Sequence, residues 1–513
     1  MRQVFNDPVH GHIDLHPLLI KIIDTPQFQR LRSIKQLGVS YFVFPGAAHN
    51  RFEHSLGVAY LAGEFVRILK EKQPELNITD KDLLCVQVAG LCHDLGHGPF
   101  SHVFDSLFIP KVRPGIKLKH EHLSVKMFDH LIKEKANKGV LEVFEEYGLN
   151  EHERYFVKEL IGGPQEEQYE DEKWPYEGRG KEKAFLYEIV ANERNGIDVD
   201  KWDYFARDCH NLGITNSFDH QRFMKFARVI KVKGKMQICF RDKEIDQLYE
   251  MFYTRNALHR KAYQHRVTKI IETMIVDALV KADPHLKLFP RKDGTTLTMS
   301  QSLDDMHAYT HLTDSVINYI SLSTNEELEE SRTILENVFK RKLHKFVGKI
   351  LLPEDVKAED LVHMNKQICA ALPAKMLRGA QLEEKAVTVR VVKMDFGKGA
   401  KNPLDHVCYY SKNDPSKAKL IDKDQVSHML PRSFLDRYVY LYCRSHDEDS
   451  LWKAKLCFEK WCEVKGFGKP EPGNILPPEP SEKTPEKQVR KRSSSPATPR
   501  KPKMGKLQTC DQP

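Results

Sequence analysis

Apolar positions recur three and four residues apart over most of the first 345 residues, and they predict a helical body. Thr25 and Pro26 suit the N-cap and first position of a helix running to about Leu37. Phe28, Leu31, Ile34 and Leu37 form its core face, which leaves Gln29, Arg32, Lys35 and Gln36 for polar work. Tyr41 to Gly46 reads as a short extended piece. A helix then starts near Asn50 and runs to about Lys70, with Leu56, Leu61, Phe65 and Ile68 among its apolar positions. Asp82 to Leu95 is a buried helix, ended by Gly96, Gly98 and Pro99. Ser124 to Lys133 and Val140 to Glu146 are amphipathic. Gly162 to Lys183 is an acidic surface loop, and Phe185 to Val190 resumes a helix. Asp219 to Arg241 has strand character, Glu244 to Asp283 is long helical sequence, and the helical pattern continues through about Lys345.

From residue 386 to 444 the period changes. Val387 to Met394, Val407 to Tyr410 and Tyr438 to Tyr442 are β-branched, aromatic and partly alternating. Ser450 to Val464 closes this part as an amphipathic helix. The expected fold is mainly α: a helical body over 1–345, a smaller α+β lobe over 346–465, and a disordered basic tail over 466–513.

Composition changes this picture in three places. No apolar run approaches the roughly 18–20 residues of a membrane span, and Met1 to Asn6 does not begin a secretory signal. The ten cysteines show no CxxC spacing, which points to free thiols in a reducing compartment. The net charge is +8, and the stretch from Ser481 onward supplies +6 of it, with nine Lys/Arg against three Asp/Glu. That is a basic tail, not a uniformly basic nucleic-acid-binding fold. Thr484 and Thr498 each precede proline and read as sites for a cyclin-dependent kinase. Arg490-Lys491-Arg492 reads as a nuclear signal or a solubilising cluster, and the expected location is the nucleus, with the cytoplasm as the alternative.

The densest chemistry lies in Gly90 to His102, with His93, His97, His102 and Asp94. The adjacent His93 and Asp94 offer a neutral nitrogen and a carboxylate oxygen to a divalent cation. His54 sits near the start of another helix. Asn195 to Asp208 carries four aspartates in eleven residues, and Asp200, Tyr204 and Asp208 share one helical face. His54, His93, Asp94 and one of Asp198 or Asp200 would complete a mononuclear site of about four ligands. The strip of Arg255, His259, Arg260, Lys261, Tyr263, Gln264, His265 and Arg266 reads either as a solvated face or as a polyphosphate clamp.

The order H…HD…D resembles the HD phosphohydrolase superfamily, an all-helical metal-binding bundle. Asn6 to Gly11, Asn50 to Gly57, Leu91 to His102 and Asn195 to His210 are similar to the vertebrate SAM- and HD-domain-containing deoxynucleoside triphosphate triphosphohydrolases. The resemblance covers residues 1 to about 465. Because the chain starts almost at the catalytic core, no SAM domain is expected in it.

That resemblance implies a metal-dependent hydrolysis of dNTP to deoxynucleoside and inorganic triphosphate. It makes Asp200 the final ligand, beside His54, His93 and Asp94, for Zn, Fe or Mn, with Mg accompanying the nucleotide. The metal would polarise the α-phosphate and supply a hydroxide nucleophile at neutral pH. His102 would protonate the leaving 5′-oxygen, with Asp105, His97 and His120 orienting or tuning it. Arg51, Lys201 and Arg255 would clamp the triphosphate. Asp208 and Gln36 would take the sugar 3′-hydroxyl, and Tyr263 would exclude a 2′-hydroxyl. Leu37 and Gln264 would flank the base, with Tyr204 and His259 in the same pocket.

It also implies a homotetramer assembled by GTP or dGTP at one site and a dNTP at another. The first site would use Gln3, Asp24, Gln29, Arg32, Arg341 and Lys345. The second would use Val4, Asn6, Val43, Phe44, Arg222, Arg241, Lys243, Gln247, Lys261, His265, Arg266 and Lys412. Gln3 replaces a usual Lys, and Lys342 and Gln247 replace usual Asn residues, which weakens the case for activator binding. Cys239 is kept, but Ile230 and Ser411 stand where the family has redox-sensitive cysteines, so thiol control is expected to be absent. By resemblance the protein would lower dNTP pools, with roles in antiviral restriction and DNA repair, and would bind single-stranded nucleic acid weakly. The competing readings are another HD chemistry, phosphodiesterase or nuclease, and a nucleotide-gated nucleic-acid-binding protein.

Overall fold

The computed structural model describes residues 3–137, 139–165, 174–357, 361–372, 382–421 and 431–474. Thr484, Thr498 and the Arg490 to Arg492 cluster lie outside them. The body is a helical bundle around the Arg51–Lys72 and Asp80–Cys92 helices, with Val199–Leu212 packed against the first. Each begins with a side-chain cap. Asn50 and Glu53 form a capping box, Thr79 and Asp82 another, and Asp198 caps through Lys201 N. Ala59, Ala62 and Gly63 of the first helix and Val86, Ala89 and Gly90 of the second are buried; such small side chains suit close packing of the two axes. Among the described residues no helix is long and apolar enough to cross a membrane.

Four segments depart from the sequence-based expectations. The helix from Thr25 makes one α-turn, Pro26–Gln29, and one tighter turn, Arg30–Ser33, then opens at Ile34. Asp314 accepts a hydrogen bond from Lys35 N, and Lys35 pairs with Asn50 in a β-bridge, so tertiary partners replace the helical ones. The expected extended piece at Tyr41 is the end of a 3-10 turn, Gly38–Phe42. Glu244 to Asp283 is two helices, Ile245–Leu258 and Arg266–Ala282, separated by a π-type turn at His259–Tyr263. Such turns re-aim side chains, and this one carries Tyr263. The helical run to Lys345 stops at Phe339; Arg341 takes a left-handed conformation and Lys345–Leu351 is a strand.

The C-terminal lobe is an antiparallel sheet in the order Glu471–Pro472, Lys345–Leu351, Leu435–Cys443, Val387–Asp395, backed by the Glu448–Lys465 helix. The Cys408–Tyr410 strand does not join it. It pairs in parallel with Lys235–Arg241, whose other edge holds Ala227–Val232. The lobe is thereby stitched into the body. All nine described cysteines are free and buried, and Cys239 and Cys408 meet in this second sheet beside Ile230.

Candidate active site

The site forms where the Arg51–Lys72, Asp80–Cys92 and Val199–Leu212 helices meet. His54 lies in the first turn of the first helix and His93 caps the end of the second. His93 Nδ1 donates to Gly90 O at 2.8 Å, which leaves Nε2 as the bare nitrogen. That Nε2 is buried and has no hydrogen-bond partner among the described residues. It lies 3.4 Å from both Asp94 Oδ1 and Asp200 Oδ1. His54 Nε2 is 3.1 Å from Asp200 Oδ1 and 3.6 Å from Asp94 Oδ2. His54, His93 and Asp94 place ligand atoms within 4.8 Å of one another, and Asp200 adjoins them. Two imidazoles, two carboxylates and an orphaned buried nitrogen fit a divalent transition metal. Burial opposes charge on His54, but hydrogen bonds to Asp200 and Asp203 outweigh it and push its pKa up to about 10. An imidazolium and a metal ion are thus alternative answers to the same carboxylates. Asp198 points elsewhere. It caps Lys201 N and pairs with Lys201 Nζ at 2.9 Å, so Asp200 is the aspartate that faces the imidazoles.

Behind the four residues stands a group that the sequence reading did not assign. Asp203, fully buried, accepts from His54 Nδ1 at 2.7 Å and from His10 Nε2 at 2.6 Å. Arg207 grips it with two hydrogen bonds of 2.9 Å and reaches Asp7 at 2.9 Å. Gly57 makes this possible, since a Cβ there would lie 1.8 Å from Asp203 Oδ1. The Asn6 to Gly11 turn is therefore structural: it carries Asp7 and His10 to the back of the site. The available signal was spacing, since Asp203 follows Asp200 by one turn and precedes Arg207 by four residues.

His220 packs edge-on against His10 with ring centroids 5.6 Å apart. Burial, helped by His10, pushes His220 down to about 4. The unfolded imidazole titrates near ~6.5, so between these values only the unfolded chain takes the proton. This stability is complete above pH ~6.5 and lost as pH falls toward 4, on the order of 3 kcal/mol. We expect His220→Phe to flatten the acid side of a plot of unfolding midpoint against pH. Parallel plots for the two proteins would show that His220 is not held neutral.

A second cluster adjoins the first through His97, whose Nε2 is 3.4 Å from Asp94 Oδ1. His97, His102 and His120 surround Asp105, with nitrogens 3.9, 3.4 and 3.6 Å from its Oδ2. His97 and His120 stack at 4.0 Å. Burial, then Arg51 and His120, hold His97 well below its usual value. His120 is raised, because its hydrogen bond to Asp105 overcomes burial. Proton binding is thus disfavoured on one ring and favoured on its neighbour. The side chain of His102 is 67% exposed and faces outward. Gly96 lets the loop sit on the start of the His120–Lys133 helix, since a Cβ would meet His120 O at 2.3 Å. Phe100 and Ser101 follow with φ of 57° and 58°, a strain of about 1–3 kcal/mol each. Asp314 holds Phe100 N at 2.6 Å, and Ser101 Oγ accepts from Arg51 Nε at 2.8 Å. Arg51 also donates to Asp94 and, against burial, holds that carboxyl well below the usual range.

The remaining predicted contacts line the approach. Asp208 accepts from His49 Nε2 at 2.6 Å and from the Tyr263 hydroxyl. Gln36 is buried, and among the described residues neither its Oε1 nor His259 Nδ1 has a hydrogen-bond partner. Leu37 and Gln264 are half-buried, and the Tyr204 ring is 6.4 Å from His54. Arg255 is engaged by Asp395 of the C-terminal lobe at 3.1 Å. Among the regulatory positions, Gln3, Val4, Asn6, Asp24, Lys261, Arg266, Arg341, Lys345 and Lys412 are exposed. Gln29 is tied to Ile23 O and to Arg32, whose guanidinium lies over Phe52. Val43 is half-buried, and Phe44 meets the ring of His265 at 5.6 Å. Arg222 pairs with Glu244, Gln247 accepts from Asp219 N, and Lys243 lies over Phe226. Arg241 is 3.6 Å from Asp242, and Arg341 donates to Phe42 O.

An H…HD…D ligand set on three packed helices, with a histidine-rich cluster beside it, defines an HD-domain phosphohydrolase, and the HD domain family model matches residues 51–208. Deoxynucleoside triphosphate triphosphohydrolase SAMHD1 of Homo sapiens is 53% identical over 93% of this chain and 76% of its own length. That of Danio rerio is 54% identical over the same shares. The SAMHD1 homolog of Dictyostelium discoideum is 38% identical over 87% of this chain and 78% of its own. The chain belongs to the SAMHD1 family of deoxynucleoside triphosphate triphosphohydrolases.

Proposed function

We propose that this protein hydrolyses dNTP with water to the deoxynucleoside and inorganic triphosphate. The observation that carries the reading is the junction of the His54, His93, Asp94 and Asp200 set with the His102 cluster through the contact of Asp94 and His97. His54, His93, Asp94 and Asp200 would hold a divalent metal, Zn, Fe or Mn by donor type, which supplies Lewis acidity at the α-phosphate. Arg51 and Lys201 bind the triphosphate, and Arg255 exchanges Asp395 for phosphate, with Mg accompanying the nucleotide. Gln36 Oε1 accepts from the 3′-hydroxyl beside Asp208. Tyr263, fixed by Asp208, closes the space a 2′-hydroxyl would need. His102 gives its proton to the departing 5′-oxygen, with Asp105, His97 and His120 positioning it.

The regulatory part of the proposal is a homotetramer assembled by GTP or dGTP and by dNTP. Its support is the exposure of most of the matching residues on one chain, where contacts between copies would cover them. Binding of single-stranded nucleic acid, kinase action at Thr484 or Thr498, and nuclear import by the Arg490 to Arg492 cluster are proposed on the sequence alone.

One assay tests the reading. With dGTP the protein should release tripolyphosphate, and the His93→Ala, Asp94→Ala double variant should release none. Turnover of dATP should require GTP. Pyrophosphate or cleaved oligonucleotide as product would reassign the chemistry to another HD reaction. GTP-independent dATP turnover would remove the activator proposal and point first to Gln3.

A further inference from the structure

Away from the active site, the His120–Lys133 helix ends in a second convergence of metal-ligating groups. His130 lies in its last turn, and Glu134 at its C-cap follows one turn later. Asp305 caps the Met306–Thr310 helix through His307 N and Ala308 N, which sets His307 in that helix's first turn. The rings of His130 and His307 meet edge-on with centroids 6.3 Å apart. His130, Glu134 and His307 place ligand atoms within 4.8 Å of one another. None of the three is among the residues assigned to the active site or the regulatory sites.

We propose that His130, Glu134 and His307 form a second divalent transition-metal site, with zinc the metal its donors suit best. Two imidazole nitrogens and one carboxylate, with a fourth position left to water, are a regular zinc donor set. His130 Nε2 is buried with no hydrogen-bond partner among the described residues, and it lies 3.7 Å from Glu134 Oε2. The carboxylate already attracts a cation: Lys292 Nζ lies 2.7 Å from Glu134 Oε2. The Lys292 side chain is 62% exposed, so it can swing into solvent when a metal takes its place. A groove lined by Lys126, Asp129, Lys133, Leu303 and Asp304 provides the entry path.

The site's position gives it a consequence. The segment from Asp305 to Asp314 holds the catalytic loop: Tyr309 donates to Gly96 O, and Asp314 binds Phe100 N. The His120–Lys133 helix carries His120 at its other end. A metal across His130, Glu134 and His307 would staple these two elements together. Metal occupancy would therefore stabilise the frame of the catalytic loop without touching substrate.

The test uses the full chain carrying His93→Ala and Asp94→Ala, which disables the active-site set. After chelation, this protein is titrated with Zn²⁺ and separately with Co²⁺. The expected result is about one retained equivalent of zinc, a visible cobalt absorption band, and a rise in unfolding midpoint. Adding His130→Ala and His307→Ala should remove the equivalent and the band. Glu134→Gln, a near-isosteric change, should weaken binding at least about tenfold. Lys292→Met should tighten it, because the competing ammonium is gone. Absence of the zinc equivalent, or its persistence with unchanged affinity in the His130, His307 and Glu134 variants, overturns the proposal. Neither outcome bears on dNTP hydrolysis.

Discussion

Asp203→Ala should destabilise the protein by about 3–5 kcal/mol, the usual cost of stranding a buried charge. Arg207 is fully buried and, among the described residues, makes two hydrogen bonds to Asp203 and one to Asp7, so the alanine leaves Asp7 alone of these to balance it. His10 and His54 lose their acceptor in the same step. The effect on the metal is separate. Without Asp203, His54 Nδ1 is no longer anchored, the ring is free to turn, and metal affinity should fall about 10- to 100-fold. Asp203→Asn keeps the volume and one carbonyl oxygen. It should recover part of the stability while metal affinity stays reduced, because an amide is a weaker acceptor from imidazole than a carboxylate. The measurements are the unfolding transition and metal content after dialysis. If the alanine variant unfolds where the parent does and keeps its metal, the group behind His54 does not support the site.

Asp203 also marks the limit of what the sequence made legible. The helical body and the α+β lobe could be read from apolar spacing, because tertiary packing reinforces that pattern along Arg51–Lys72, Asp80–Cys92 and Glu448–Lys465. The candidate metal cluster could be read because H…HD…D is an unusual order of scarce residue types. Spacing alone left Asp198 and Asp200 open, and three-dimensional placement separated them: one caps its helix and the other faces His54. The failures came where long-range partners override local preference. Ile34 leaves the helix because Asp314, 280 residues onward, binds the next amide. The break at Gln264, whose carbonyl accepts from the Tyr440 hydroxyl, and the parallel pairing of Phe240 with Tyr409 likewise involve elements distant in the chain. The contact of Arg255 with Asp395 of the lobe is a further long-range pairing that the basic strip by itself does not show. A local window contains none of these partners.

His102→Ala should lower kcat for dGTP by about 10²–10⁴, the range of a lost general acid. The side chain is mostly exposed and, among the described residues, its one ionic contact is Asp105, so the fold and the metal site should survive the change. A general acid matters in proportion to how badly the leaving group needs a proton. A 5′-alkoxide needs one; a 5′-thiolate does not. A dGTP analogue with sulfur in the bridging 5′ position should therefore be cleaved by the variant at nearly the parental rate. A residue that merely holds the loop in place would slow both substrates alike. Asp105→Asn supplies the complementary case. It removes the carboxylate that His97, His102 and His120 share, so it should slow the oxygen substrate through misplacement of His102 and also disturb the stacked pair behind it. Equal losses on the two substrates in the His102 variant would move the proton donor elsewhere in the cluster, with His120, whose pKa the Asp105 hydrogen bond raises, first in line.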